Sequence, residues 1–270
     1  MTSSDAAASR FDGTVVLVTG SAERAGARIA LAFAEAGAIV YLNHVGQAAQ
    51  ATATIDAARE AGYGDRVFAI EADITDAAAG AAMVDRIVAE QGRLDLLLHN
   101  ASTFRPTPFL KLTEGDFDSS IGVNLRGPFF LSQAAGRVMT AQGSGRILAI
   151  LGNSLSEVWP DLVPHIVGKT GLGRLMEQLA VTLSPAVQCN SIAPTQFFRS
   201  DDGVNDALRI ARGEKPVAVE ATRSLTTTVK GALIRETSIE DVIDVLMFLA
   251  DAPATVNGVT IRIDGGRVHI

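Results

Sequence analysis

The chain of 270 residues has one cysteine, Cys189, so no disulfide can form within it. A thiolate zinc site is excluded for the same reason, because it needs several Cys or Cys/His ligands. A lone thiol fits a reducing cytoplasm. Aromatic residues are only 5% of the chain, and no run of about 18 apolar residues exists. No transmembrane helix is therefore expected, and no membrane partner. Residues 1–10 are polar and rich in Ser and Ala, without the apolar core of a signal peptide, and read as a disordered tail. Basic residues are the minority, 23 Lys and Arg against 30 Asp and Glu, with no basic block. That argues against nucleic acid, since phosphate contact needs clustered cations. His, Asp and Glu show no metal-ligand spacing, so no metal is expected.

What is present is apolar residue, 47% of the chain, enough for a large core. Short apolar runs alternate with helical patterns. Strands are expected at 14–19, 38–42, 66–70, 94–99, 146–151, 186–192 and 258–263. Helices are expected between them, including 25–36, 47–60, 77–90, 124–140, 165–183 and 239–250. Strands apolar on both faces and joined by helices imply a parallel sheet covered on both sides. The expected fold is α/β, a single doubly wound Rossmann domain over 11–270 with about seven strands. Its ligands belong at the carboxyl ends of the strands. The segment 199–236 breaks the rhythm and reads as a substrate lid.

After the first strand comes Thr19-Gly20-Ser21-Ala22-Glu23-Arg24-Ala25-Gly26. Glycines between a strand and a helix let backbone amides and the helix dipole meet a pyrophosphate. The second strand ends in Leu42-Asn43-His44-Val45, with no carboxylate to bind a ribose 2′-hydroxyl and repel a phosphate there. Arg24 can pair with a 2′-phosphate as a planar donor, which favours NADP over NAD, although Glu23 is adjacent.

These marks resemble the short-chain dehydrogenase/reductase family, over roughly 13–266. Its turn T-G-x-x-x-G-x-G is matched at Thr19, Gly20 and Gly26, with Arg24 at the middle glycine, as in the pteridine reductase branch. Asp73, followed by Ile74, matches the aspartate that holds the adenine. His99-Asn100-Ala101-Ser102 matches the N-N-A-G loop. Asn190, Ile192 and Pro194 match the N-x-I-x-P run, with Thr195 for the usual Gly, and Asp264-Gly265-Gly266 matches the C-terminal D-G-G. The stretch from Asn100 to Phe104 with Pro106-Thr107-Pro108 looks especially like pteridine reductases. The resemblance implies cofactor contacts at Gly20, Ser21, Arg24, Gly26, Asn43, His44, Asp73, Ile74, Asn100, Ala101, Lys169, Pro194 and Thr195. It implies a substrate pocket at Ser102, Phe104, Trp159 and Phe197, and assembly as a homotetramer. His99 is expected to be a satisfied strand-end histidine.

The resemblance breaks at the chemistry. The family uses Tyr-x-x-x-Lys, an upstream Ser and an Asn. Here His165-Ile166-Val167-Gly168-Lys169 keeps the lysine and replaces the tyrosine. Gly152 falls at the serine's distance, and Ser154 serves only if the loop is shorter by two. Asn124 matches the asparagine. A cation on Lys169 disfavours a second on His165, and neutral imidazole is a base rather than an acid. The leading expectation is an NADP(H)-dependent oxidoreductase acting on a small carbonyl or imine, pteridine-like compound. Asn124, His165, Lys169 and Ser154 are its catalytic candidates. Two alternatives stand beside it: a lyase, isomerase or dehydratase on the same scaffold, and a non-catalytic partner subunit of an active relative.

Overall fold

The computed structural model describes residues 10–195 and 226–267. Phe197, residues 1–9 of the tail and 199–225 of the lid lie outside the described residues. Seven strands form one parallel sheet. They are β1 Val15–Val18, β2 Ile39–His44, β3 Val67–Glu71, β4 Leu96–His99, β5 Gly145–Ile150, β6 Val187–Pro194 and β9 Thr260–Ile263. Their order is β3-β2-β1-β4-β5-β6-β9. β1 is buried along its whole length because it lies between two covered faces.

Alternate residues of each strand feed two cores. Val16, Val18 and Leu98 pack with Phe33 of α1 (Arg24–Glu35) and Leu246 of α7 (Ile239–Asp251). Val15, Leu17 and Leu97 pack on the other face. There they meet Met83 of α3 (Ala77–Gln91), Leu131 of α5 (Gly127–Gln142) and Met176 of α6 (Val163–Thr182). A further helix, α2 (Ala48–Glu60), joins β2 to β3. The strand order reverses between β1 and β4, so a crevice opens at their carboxyl ends.

Two features depart from the expected pattern. The helix expected at 124–140 is preceded by α4 (Glu114–Ile121) and interrupted by a π turn, Gly122–Arg126, that carries Asn124. Pro128 has no N–H to offer the carbonyl four residues back, which is that of Asn124, so the ordinary ladder is broken there. The segment read as a lid ends in a hairpin, β7 (Thr226–Val229) and β8 (Ala232–Arg235). Its two-residue turn, Lys230-Gly231, has positive φ at both positions (45° and 85°), the twist that antiparallel strands favour.

The π turn lies hard against α6. A Cβ on Gly168 would sit 2.8 Å from that of Asn124. Gly168→Ala is therefore expected to push α6 off the π turn and cost about 1–3 kcal/mol. Urea unfolding of the variant at the wild-type midpoint would show no change if this crossing were loose.

Candidate active site

The crevice is a cleft of about 780 Å³, with Arg24 and His44 at one end and His165 and Trp159 at the other. Its first wall is the turn between β1 and α1. Gly20 has φ +59°, and a Cβ there would lie 2.9 Å from the Ala101 Cα. A Cβ on Gly26 would lie 2.5 Å from the Gly20 carbonyl oxygen. Only glycine fits either place. Asn100 Nδ2 donates to the Thr19 and Gly20 carbonyls at 2.8 and 2.9 Å, and Thr19 Oγ1 accepts from the Asn100 and Ala101 amides. The turn is thus tied to the end of β4. Arg24 keeps the left-handed backbone of the glycine it replaces, φ +59°. That conformation costs a side-chain-bearing residue about 1–2 kcal/mol.

Of the expected cofactor residues, Ser21 is turned away from the cleft, while Asn43 and Asp73 line it and also brace its wall. Ser21 is fully buried; its hydroxyl donates to the Val18 carbonyl and its amide to the Asn43 carbonyl, so neither is left for a ligand. The Asn43 side chain is a brace: Nδ2 donates to the Ala72 carbonyl at 2.9 Å and Oδ1 accepts from the Gly20 amide at 3.3 Å. Asp73 accepts from the Thr75 amide and hydroxyl, both at 2.8 Å, and borders the cleft beside Ile74. His44 also lines the cleft, only 4% exposed, and its Nδ1 has no partner. Gln47 Nε2 holds the Glu23 carboxylate at 2.8 Å.

At the other end the Thr103 carbonyl is the joint. His165 Nδ1 lies 2.9 Å from it, and Asn124 Nδ2 donates to it at 3.2 Å. A carbonyl only accepts, so His165 carries its proton on Nδ1 and leaves Nε2 with the lone pair. Ser102 Oγ donates to Asn124 Oδ1 at 2.9 Å, and Ser120 accepts from Asn124 Nδ2 at 3.3 Å. The Phe104 ring stands edge-on to both His165 (5.1 Å) and Trp159 (6.0 Å). Lys169, one turn after His165, is buried and donates to the Ile150 carbonyl at 2.8 Å. Ser154 lies on the single turn Asn153–Leu155 after β5. Pro194 and Thr195 border the cleft; the Thr195 hydroxyl pairs with that of Thr237 at 2.7 Å.

Burial governs the ionisation of these groups. It brings Lys169 down to about 8. His165 falls to about 4, through burial first and the charge of Lys169 second, against a smaller rise from the Thr103 bond. His99 falls to about 3, again by burial and then Lys169. The expectation of a satisfied His99 is corrected. Its Nε2 meets Ser132 Oγ at 2.8 Å, but Nδ1 is buried without a partner. Two contributors carry no motif: the Thr103 carbonyl is backbone, and Arg267, which lines the cleft just past the D-G-G turn, belongs to no pattern in the sequence. Among the described residues no cluster of three His, Cys, Asp or Glu could hold a metal, and no helix is long and apolar enough to cross a membrane.

A family model described as enoyl-(acyl carrier protein) reductase matches residues 20–267. The chain belongs to the short-chain dehydrogenase/reductase family. It is 34% identical to the D-threitol dehydrogenase of Mycolicibacterium smegmatis over 267 residues, 95% of this chain and 94% of that one. It is 31% identical to the 3-oxoacyl-(acyl-carrier-protein) reductase FabG of Staphylococcus aureus, over 93% of this chain and 96% of that one. A dehydrogenase/reductase of known structure from Sinorhizobium meliloti 1021 superimposes with TM-score 0.77 at 29% identity, over 97% of this chain and 98% of that one. Short-chain dehydrogenase/reductases bind nicotinamide cofactors. The residues here fit one: a tight glycine turn at a helix N-terminus, the unpartnered His44 Nδ1, and Lys169 with N–H groups beyond the one given to Ile150.

His165 is neutral in the folded chain down to about pH 4, whereas an unfolded histidine takes its proton near 6.5. The unfolded state therefore binds more protons between these values. The associated stability is present above about pH 6.5 and is lost as pH falls toward 4. His165→Tyr is expected to lose about 2 kcal/mol less than the wild type between pH 7 and pH 5. Urea unfolding of both at the two pH values measures it, and equal losses would contradict a neutral buried His165.

Proposed function

We propose that this family member is an NADP(H)-dependent oxidoreductase acting on a small carbonyl or imine compound with a flat, pteridine-like ring. His165 takes the tyrosine's place as the proton-handling group. The observation that carries this reading is the bond from His165 Nδ1 to the Thr103 carbonyl, in a ring that also lines the cleft.

That bond leaves Nε2 as an acceptor. With an ionisation near 4, only about one ring in a thousand is an imidazolium at pH 7. Nε2 is suited to take a proton from a substrate hydroxyl or amine as it is oxidised. It is a poor donor toward an ordinary carbonyl, so an activated C=N, which asks less of its acid, is the better oxidised partner. Asn124 fixes the same Thr103 carbonyl and so fixes the ring that hangs from it. Lys169 lines the cleft and is largely an ammonium at pH 7, which supports a role in holding the ribose hydroxyls. Phe104 and Trp159 offer the ring a flat apolar wall. The bound nicotinamide supplies the hydride chemistry.

NADP is favoured by Arg24 at the cleft and by β2 ending in Asn43 and His44 rather than in an acid. Assembly through α5 and α6, as a homotetramer or with a relative, is supported by Phe129, Val167 and Val181, exposed apolar side chains on those helices.

Two outcomes are expected. Arg24→Gly weakens NADPH at least about tenfold, or 1.4 kcal/mol, leaves NADH unchanged in calorimetry, and stabilises the fold by about 1 kcal/mol. Equal loss of both cofactors would remove Arg24 as the phosphate reader. His165→Gln lowers turnover of a nicotinamide-linked substrate about 100-fold or more while NADPH affinity holds. Full turnover in that variant, followed by nicotinamide absorbance, would sink the assignment of His165.

A further inference from the structure

The wall beyond Trp159 ends in an ion pair. Arg267 lines the cleft, and its guanidinium meets both Glu157 oxygens, Nε at 2.5 Å and Nη2 at 3.4 Å. The second Glu157 oxygen also accepts from Trp159 Nε1 at 3.1 Å. Trp159 in turn faces Phe104, and Phe104 faces His165. One continuous surface therefore runs from the proton-handling imidazole, across two aromatic rings, to a cation. Arg267 is held at its base by the turn after β9. Its amide donates to the Asp264 carbonyl at 3.1 Å, and the Gly266 amide donates to Asp264 Oδ1 at 2.9 Å.

The charges at this end have one sign left over. Among the described residues lining the cleft, the carboxylates, Glu23 and Asp73, are in the half that holds Arg24 and His44. The half that holds His165 and Trp159 carries Lys169, given above to the cofactor ribose, and Arg267. Glu157 offsets one of these. A guanidinium has five N–H donors, and Arg267 directs two at Glu157. Its side chain is 37% exposed, so the rest of the fork can be reached from solvent.

We propose that Arg267 reads a carboxylate on the substrate, and that Glu157 holds its place until the substrate arrives. The substrate class is then a flat ring bearing an anionic tail. The ring lies along Phe104 and Trp159, the reacting carbon is toward His165, and the carboxylate replaces Glu157 on the planar fork. This rests on the cleft's substrate end lying where the proposed function puts it, but not on its redox chemistry.

Trp159 is the chain's only tryptophan, so its fluorescence reports this wall without any turnover. The full chain, free of cofactor, is titrated with phenylacetate and with its neutral match, phenylacetamide. Phenylacetate is expected to bind at least about tenfold tighter. Arg267→Gln abolishes the difference. Glu157→Gln, which removes the competing carboxylate, tightens phenylacetate about threefold or more and leaves phenylacetamide unchanged. The opposite signs separate recognition from a merely structural ion pair, for which both variants would weaken both probes. The proposal is overturned if neither probe binds, if the amide binds as tightly as the acid, or if Glu157→Gln weakens the acid. Because no cofactor is present, a failure here leaves the redox reading standing, and an NADPH titration that fails leaves this one standing.

Discussion

One backbone oxygen organises the His165 end of the cleft. The Thr103 carbonyl follows β4, and it accepts from Asn124 on the π turn and from His165 on α6. Three segments far apart in sequence are fixed through a single acceptor. The same bond chooses the imidazole tautomer, on which the proposed role of His165 depends. A ring whose Nδ1 is committed to a carbonyl presents Nε2 as a base.

The packing keeps that arrangement narrow. The missing N–H of Pro128 opens the π turn, and Gly168 lets α6 approach it without a side chain between. Lys169 is buried a single turn away, and its charge works on two histidines, His165 and His99, that burial has already made reluctant to ionise. Both stay neutral for the same two reasons, but only His165 has its Nδ1 satisfied. Burial, rather than any single ion pair, sets the electrostatics of the site.

The α/β layering is legible from the apolar runs, because strands buried on both faces leave long unbroken patterns such as Val15 to Val18. The glycine turn is legible too, since Gly20 and Gly26 occupy places where a Cβ collides with backbone. Other features leave weaker traces. The π turn depends on what Pro128 lacks, which periodicity does not register. The β7–β8 hairpin had a signal in Lys230-Gly231 after the β-branched run 226–229 and before the apolar stretch 232–234, lost inside a long segment of mixed charge. Asn43 and Ser21 are polar residues in the right place that face inward to brace the turn, and residue type alone does not say which way a side chain points. The Thr103 carbonyl has no side-chain signature at all. Arg267 and Glu157 are 110 residues apart, and only the fold brings them together.

The measurement closest to the central claim is the nitrogen-15 NMR spectrum of His165, assigned by comparison with His165→Gln and followed from pH 7 to pH 4. The geometry predicts a neutral ring with the proton on Nδ1 and a bare Nε2, unchanged until the pH approaches about 4. A ring protonated on Nε2, or an imidazolium at pH 7, would contradict the account.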